Sequence, residues 1–259
     1  MAIIRTDLPK ALTLLAFLSV TVFHTSLADS KPKYGPLESP RAIPLSKSNE
    51  YFRNPAHPAP DFWALISHYV PQYNGAACSV ASLSMVLNAA RATLERSASD
   101  KNITQEELLN RVNIEHWKER MSKLGHFGRH GVSLDQFGKI AEAAFKLYGF
   151  PNASTRTIHI NDALDSTKVA LRKILQEKKP TDFIVANFDQ KLFTDDTQAG
   201  HLSPVGAYDS KKDKVLILDT DREYYEPYWV SVDDFVLGMS TLDGSEHRGY
   251  VYIQTTPRK

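Results

Sequence analysis

The chain has 259 residues, a formal net charge of +1, and 42% hydrophobic residues. Such a length and balance suit a globular protein with one sizeable core, in one or two lobes. Nucleic-acid binders usually carry a clear basic excess, so the near-neutral charge argues against that class.

In chain order, Met1 to Lys10 carries Arg5 and Lys10, and Ala11 to Phe23 is a short apolar run. Ser26-Leu27-Ala28 then places small residues where a cleavage site needs them, so residues 1–28 read as a secretory signal peptide. The run falls short of the ~20 apolar residues of a membrane span. No stable membrane insertion is expected after cleavage, and an uncleaved anchor is the alternative. An exported protein, periplasmic or secreted, is expected. Residues 29–50 are polar and carry four prolines, Pro32, Pro36, Pro40 and Pro44, and read as a leader without a core of its own. Residues 51–259 form the expected catalytic domain.

Cys78 to Arg91 predicts a helix, with Val80, Leu83, Val86 and Leu87 at helical spacing. Gly75 marks the turn before it, so Cys78 falls at the helix N-terminus. Thr104 with Glu107 signals a cap and a helix to about Trp117. Ser133 with Gln136 repeats the signal before Phe137 to Tyr148, and Asp162 to Lys178 is a further helix. The second half changes to strands: Asp182 to Phe188, Leu202 to Asp209, Lys214 to Asp219, Tyr228 to Val230 and Gly249 to Gln254, with a short helix over Val232 to Met239. Helices followed by antiparallel strands predict an α+β fold, a helical lobe plus an antiparallel sheet lobe, with a cleft between them.

The single cysteine, Cys78, excludes an internal disulfide. A lone thiol in an oxidising compartment is either buried and inert or kept for its reactivity. A helix N-terminus favours the thiolate through its partial charge and its unpaired N–H groups. His201 opens a strand after Gly200, and a glycine there lets another group approach the backbone closely. Asp219 ends the next strand, so the hairpin brings it beside His201, where it can orient the imidazole. Gln72 lies shortly before Cys78 across a Gly-containing turn. Its amide and the Cys78 N–H would form an oxyanion hole. Cysteine, histidine and aspartate in that order point to a thiol acyltransferase or peptidase. His126 and His130 are four apart, but Gly128 between them weakens a helical metal site.

With these residues in place, the chain resembles the catalytic domain of the phytochelatin synthase family from about Asn54 to Ile253. The likeness is densest at QYNGAACSVASLSMVLN (Gln72 to Asn88), GVSLD (Gly131 to Asp135), GHLSPVGAY (Gly200 to Tyr208) and LILDTDREYYEPYW (Leu216 to Trp229). The resemblance implies a papain-like cysteine protease fold. It implies attack on glutathione at the Cys–Gly bond, with release of glycine. The γ-glutamylcysteinyl unit is held as a thioester and passed to a second glutathione or to water. It assigns Cys78 as nucleophile, His201 as general acid and base, Asp219 as its orienting partner and Gln72 as oxyanion donor. Arg248 and Asp243 would hold the γ-glutamyl carboxylate and amine, and Arg222 in the aspartate segment would be a further substrate contact.

The implied partners are glutathione and γ-glutamylcysteine peptides. No cofactor is required; cadmium or zinc enters as a glutathione thiolate substrate or as an activator. Oligomeric state is left open, a homodimer included. Two positions depart from the pattern. Ser79 stands where the family usually has glycine after the nucleophile, which puts close approach of substrate in question. Gln190 stands where relatives often carry arginine, which puts one substrate or acceptor contact in question. Two alternatives remain: a papain-like cysteine peptidase acting on another exported peptide, and a non-catalytic thiol- or metal-binding protein.

Overall fold

The helix that begins at Cys78 is buried on almost every side, and the fold is arranged around it. The computed structural model describes residues 37, 39–94, 97, 99–195 and 199–255, all within one unit spanning 32–259. The signal-peptide reading of residues 1–28, residues 29–36 and 38 of the leader, and the last four residues lie outside the described residues. Among the described residues no helix is long and apolar enough to cross a membrane.

The chain enters through strand β1 (Ile43–Pro44), a 3-10 turn and helices α1 (Glu50–Arg53) and α2 (Pro60–Ile66). Helix α3 (Cys78–Arg91) follows, then α4 (Gln105–Arg111), α5 (Trp117–Arg120) and α6 (Leu134–Leu147). Strand β2 (Ser154–His159) precedes α7 (Asp165–Glu177), β3 (Phe183–Asp189) and the short α8 (Lys191–Thr194). Strands β4 (Gly200–Asp209), β5 (Lys214–Ile217) and β6 (Tyr228–Ser231) lead to α9 (Val232–Met239). A two-residue hairpin, β7 (Leu242–Asp243) with β8 (Glu246–His247), and strand β9 (Gly249–Gln254) complete the order.

Seven strands pair antiparallel in the order β1-β6-β5-β4-β3-β9-β2. Both faces are covered. Phe183 and Val185 of β3 and Val251 and Ile253 of β9 join the core formed with α3 and α6. The alternate residues Ile184, Ala186, Tyr250 and Tyr252 join a second core with α7 and α9. Period-2 alternation sends neighbouring side chains to opposite faces, so a strand covered on both sides reads as a continuous apolar run. The α+β reading holds. The helices do not stand apart as a lobe, however: α3 and α6 lie directly on one sheet face and α9 on the other.

Helix α3 tolerates this burial because its polar side chains are satisfied. Ser84 Oγ donates to Ile103 O at 2.9 Å, and Asn88 Oδ1 accepts from Ile103 N at 2.9 Å. The cap at Thr104 forms as expected, accepting from Glu107 N, but α4 stops at Arg111 rather than near Trp117. Glu115 and His116 both take left-handed conformations, φ 54° and 52°, which no α-helix accommodates. The Ser133–Gln136 capping box forms in both directions at the start of α6.

The leader boundary also shifts. Ala42 is buried, Ile43 and Leu45 pack on the core, and β1 pairs with β6 at the sheet edge. Proline is admissible on such an edge strand, so the prolines of residues 29–50 do not exclude Pro44 from the sheet. Strand β2 escapes sequence reading because Ser154, Thr155, Arg156 and Thr157 are polar, as befits an edge with one face in solvent.

Gly249 begins β9 opposite His159 and Asn187. A Cβ there would lie 1.9 Å from the Ile158 carbonyl oxygen, a backbone atom that cannot swing away. Gly249→Ala should lower the melting temperature by about 3–10 °C. That takes overpacking at about 1–3 kcal/mol and about 2–4 °C per kcal/mol at this chain size. A thermal melt checks it, and an unchanged midpoint would contradict the close approach.

Candidate active site

Cys78 is the first residue of α3 and is 8% exposed. The loop before it is pinned by Asn74, whose Oδ1 accepts from Ala76 N at 2.8 Å and whose Nδ2 donates to Met121 O at 2.9 Å. Ala77 precedes the first turn without a side-chain cap, and the Ala81 N–H bonds to the Ala77 carbonyl at 3.1 Å. The Cys78 N–H therefore belongs to the helix's orphan donors.

Ser79 resolves differently from its expectation. Its hydroxyl accepts from Trp117 Nε1 at 2.9 Å and lies against Met121 Sδ, with the residue fully buried. It points into the core and partners an indole that would otherwise be buried unsatisfied. The side chain does not obstruct the approach to Cys78.

One turn along from Cys78, on the same helix face, Ser82 Oγ donates to Leu202 O at 2.8 Å. That bond ties α3 to β4 at the residue next to His201. Strand β5 stops at Ile217, so Asp219 lies just beyond the strand rather than at its end. The chain still follows β4: Leu218 N donates to Pro204 O at 3.0 Å and Thr220 N to Ser203 Oγ at 3.3 Å. His201 Nε2 donates to Asp219 Oδ1 at 2.7 Å. With Nε2 so engaged, Nδ1 is the ring nitrogen left for sulfur, and the Cys78 side chain is within hydrogen-bonding reach of the imidazole.

Asp219 is 0% exposed. Its Oδ1 accepts from His201 and from the Asp221 N–H at 2.8 Å. Its Oδ2 accepts from the Tyr228 hydroxyl at 2.6 Å and Gln190 Nε2 at 3.1 Å. Burial by itself raises a carboxyl group. Here the charge and hydrogen bond of His201, then Tyr228 and Asp221, outweigh burial and hold Asp219 below its ordinary value. Burial likewise opposes a charge on His201. Asp219 first, then Cys78, more than offset it, and the imidazole is held well above its ordinary value.

A cavity of about 950 Å³ opens over this pair, lined by Cys78, His201, Asn187, Asp243, Glu246 and Arg248 among others. A second, of about 630 Å³, also reaches Cys78 and is lined by Asn74, Lys123 and His130. Arg248 is almost buried, and its Nη1 donates to Asn187 Oδ1 at 3.0 Å and lies 3.2 Å from Asp243 Oδ2. Its Nε is buried with no hydrogen-bond partner. The group that approaches Gly200 is this guanidinium: a Cβ at Gly200 would lie 2.4 Å from Arg248 Nη1.

The structure thus gathers Cys78, His201, Asp243 and Arg248 around one cavity, with Asp219 behind His201. Gln72 is tied to Thr220, the residue after Asp219, its N–H donating to Thr220 O at 2.9 Å and its Oε1 accepting from the Thr220 hydroxyl at 3.4 Å. Arg222 is not brought to the cavity. Its guanidinium lies 4.3 Å over the Tyr69 ring and donates to Tyr69 O, and the Tyr69 hydroxyl donates to the Asp219 carbonyl. That aromatic face and carbonyl hold Arg222 away from the cavity of Cys78.

Gln190 is buried behind Asp219 as a neutral donor and does not line the cavity of Cys78, in keeping with the doubt its departure raises about a contact there. Tyr228 and Asn187 are additional site residues. Each sits in an apolar strand pattern, where a lone Tyr or Asn facing a charged group is the signal a sequence can offer.

The two raised and lowered groups set a pH signature. The contribution of His201 is complete below 6.5, its ordinary value, and is lost as pH rises through the higher folded value. The contribution of Asp219 is complete above 3.8 and is lost as pH falls through its lower folded value. In a Cys78→Ser background, the melting-temperature gap between the parent and His201→Ala should narrow as pH climbs above 6.5. A gap that widens there would contradict the buried ion pair.

A family model described as Phytochelatin synthase matches residues 41–250. The chain is 27% identical over 203 residues to glutathione gamma-glutamylcysteinyltransferase 1 of Lotus japonicus, covering 76% of this chain and 36% of that protein. It is 28% identical over 204 residues to glutathione gamma-glutamylcysteinyltransferase 1 of Arabidopsis thaliana, covering 76% and 38%. A shorter match, 38% identical over 60 residues, is to glutathione gamma-glutamylcysteinyltransferase of Schizosaccharomyces pombe, covering 22% and 14%. The match spans little more than a third of each plant relative. With the family model covering most of its length, the chain belongs to the phytochelatin synthase family.

Proposed function

We propose that the protein is a papain-like thiol acyltransferase with glutathione as its substrate. The observation that carries this reading is the Arg248–Asp243 pair in the cavity of Cys78 and His201. The γ-glutamyl end of glutathione bears a carboxylate and an ammonium on one carbon. A guanidinium whose Nε still lacks an acceptor suits the carboxylate, and the neighbouring aspartate suits the ammonium.

In this reading the Cys78 thiolate attacks the cysteinyl carbonyl carbon, and the π electrons move to oxygen. The Cys78 N–H and Gln72 Nε2 stabilise that oxyanion; the Thr220 hydroxyl engages Gln72 Oε1 and so turns the amide nitrogen away from it. As the intermediate collapses, the C–N bond breaks and His201 gives its proton to the leaving glycine nitrogen. The thioester on Cys78 then meets an amine of a second glutathione or a water. His201 takes the nucleophile's proton, the C–S bond breaks, and the thiolate is restored. Asp219 keeps the imidazole aimed throughout. The second cavity beside Cys78 offers room for the acceptor, and cadmium or zinc enters as the thiolate complex of that substrate. Export through the N-terminal segment belongs to the same reading, and cell fractionation tests it.

Incubation with glutathione, with products read by mass spectrometry, is the test. The native protein should release glycine and yield γ-glutamylcysteine or its oligomers, and Cys78→Ser should abolish turnover at an unchanged melting temperature. Arg248→Ala should raise KM about tenfold or more. A charge-assisted bond is worth about 1.5–3 kcal/mol, and about 1.4 kcal/mol is tenfold. Gln72→Ala should lower kcat by about 10²–10³. Untouched glutathione, or full activity in Cys78→Ser, would sink the proposal.

A further inference from the structure

Apart from the triad, Asp135, His159 and Glu246 bring one ligand atom each within 4.8 Å of one another. They come from three elements: the first turn of α6, the end of β2, and β8. Asp135 and Glu246 line the same cavity as Cys78. His159 Nδ1 lies 2.6 Å from the His247 carbonyl oxygen. A carbonyl can only accept, so Nδ1 carries a proton and Nε2 is the ring position turned to Asp135. A backbone carbonyl holding one imidazole nitrogen is the usual way a metal-ligating histidine is oriented. Nε2 in turn lies 3.2 Å from Asp135 Oδ1.

A neutral imidazole nitrogen and a carboxylate oxygen both present lone pairs. Facing each other, they need a positive centre between them, either a proton or a metal ion.

We propose that Asp135, His159 and Glu246 form a divalent-cation site on the wall of the cavity, with its remaining coordination positions open to a ligand. One imidazole with two carboxylates suits zinc better than magnesium or calcium, which favour all-oxygen shells. Three protein ligands leave a fourth zinc position open. That position faces a cavity lined by both signs of charge, Arg120 and Arg129 beside Glu115 and Asp243, with Lys139 paired to Glu115 at 3.1 Å. The ion site stands on its own ligands and does not depend on the chemistry proposed for Cys78.

A second group, His116, Glu119 and His126, also brings its ligand atoms together, with His116 and Glu119 exposed at the surface. The test therefore uses the full chain carrying Cys78→Ser and His126→Ala, which removes the thiol and that competing cluster. Zinc chloride is titrated near neutral pH against a chromophoric chelator, and cobalt uptake is followed by its visible absorption. The parent should bind one equivalent of zinc. Adding Asp135→Asn, His159→Ala or Glu246→Gln should each weaken binding about tenfold or more. Glu246 is exposed on a two-residue strand, so its substitution leaves the fold intact, and circular dichroism checks all three. A parent that binds no zinc overturns the site, and so does any of the three folded variants binding as tightly as the parent.

Discussion

Asp219 is a carboxylate with no exposure to water, placed where an unpaired charge would cost several kcal/mol. Four donors occupy its two oxygens: His201, the Asp221 N–H, Tyr228 and Gln190. They come from β4, the turn itself, β6 and the start of α8, so the charge can be accommodated only after the sheet has closed around it. Removing any donor would leave part of a buried charge unmatched. The same saturation makes the carboxylate useful, because its charge is directed at one imidazole nitrogen and leaves the other facing sulfur.

Two contacts carry that order to the cavity. Ser82 fastens α3 to the Leu202 carbonyl, which fixes Cys78 relative to His201 through helix and strand rather than through loops. Gly200 has no side chain, and the Arg248 guanidinium fills the space a Cβ would take. The acid–base residue and the cationic end of the cavity are thus neighbours along β4.

Much of this could be read before any coordinates. The spacing of Val80, Leu83, Val86 and Leu87 marks α3 to the residue, and the run Val215 to Leu218 signals the buried setting of Asp219. What could not be read is what depends on non-local packing. Ser79 looks like an obstacle beside the nucleophile until Trp117 is seen to need its hydroxyl. Arg222 looks like a ligand contact in sequence, yet the folded chain turns it toward Tyr69 in the Asp219 neighbourhood. Helix α4 ends early at Val112, whose backbone already leaves helical geometry at φ −101° and ψ 84°, a break that no periodicity reveals, and the two-residue strands β1, β7 and β8 are too short to carry a pattern. Asp135, His159 and Glu246 are far apart in sequence and meet only when β2, α6 and β8 assemble.

The central claim is that Cys78 carries the acyl group. Native protein quenched in acid during turnover of glutathione can be digested, and the peptide containing Cys78 examined by mass spectrometry. The account predicts a γ-glutamylcysteinyl adduct on Cys78, without glycine and labile to hydroxylamine as a thioester is. An adduct that retains glycine and is released by reducing agent would mark a mixed disulfide, and that result would contradict the account.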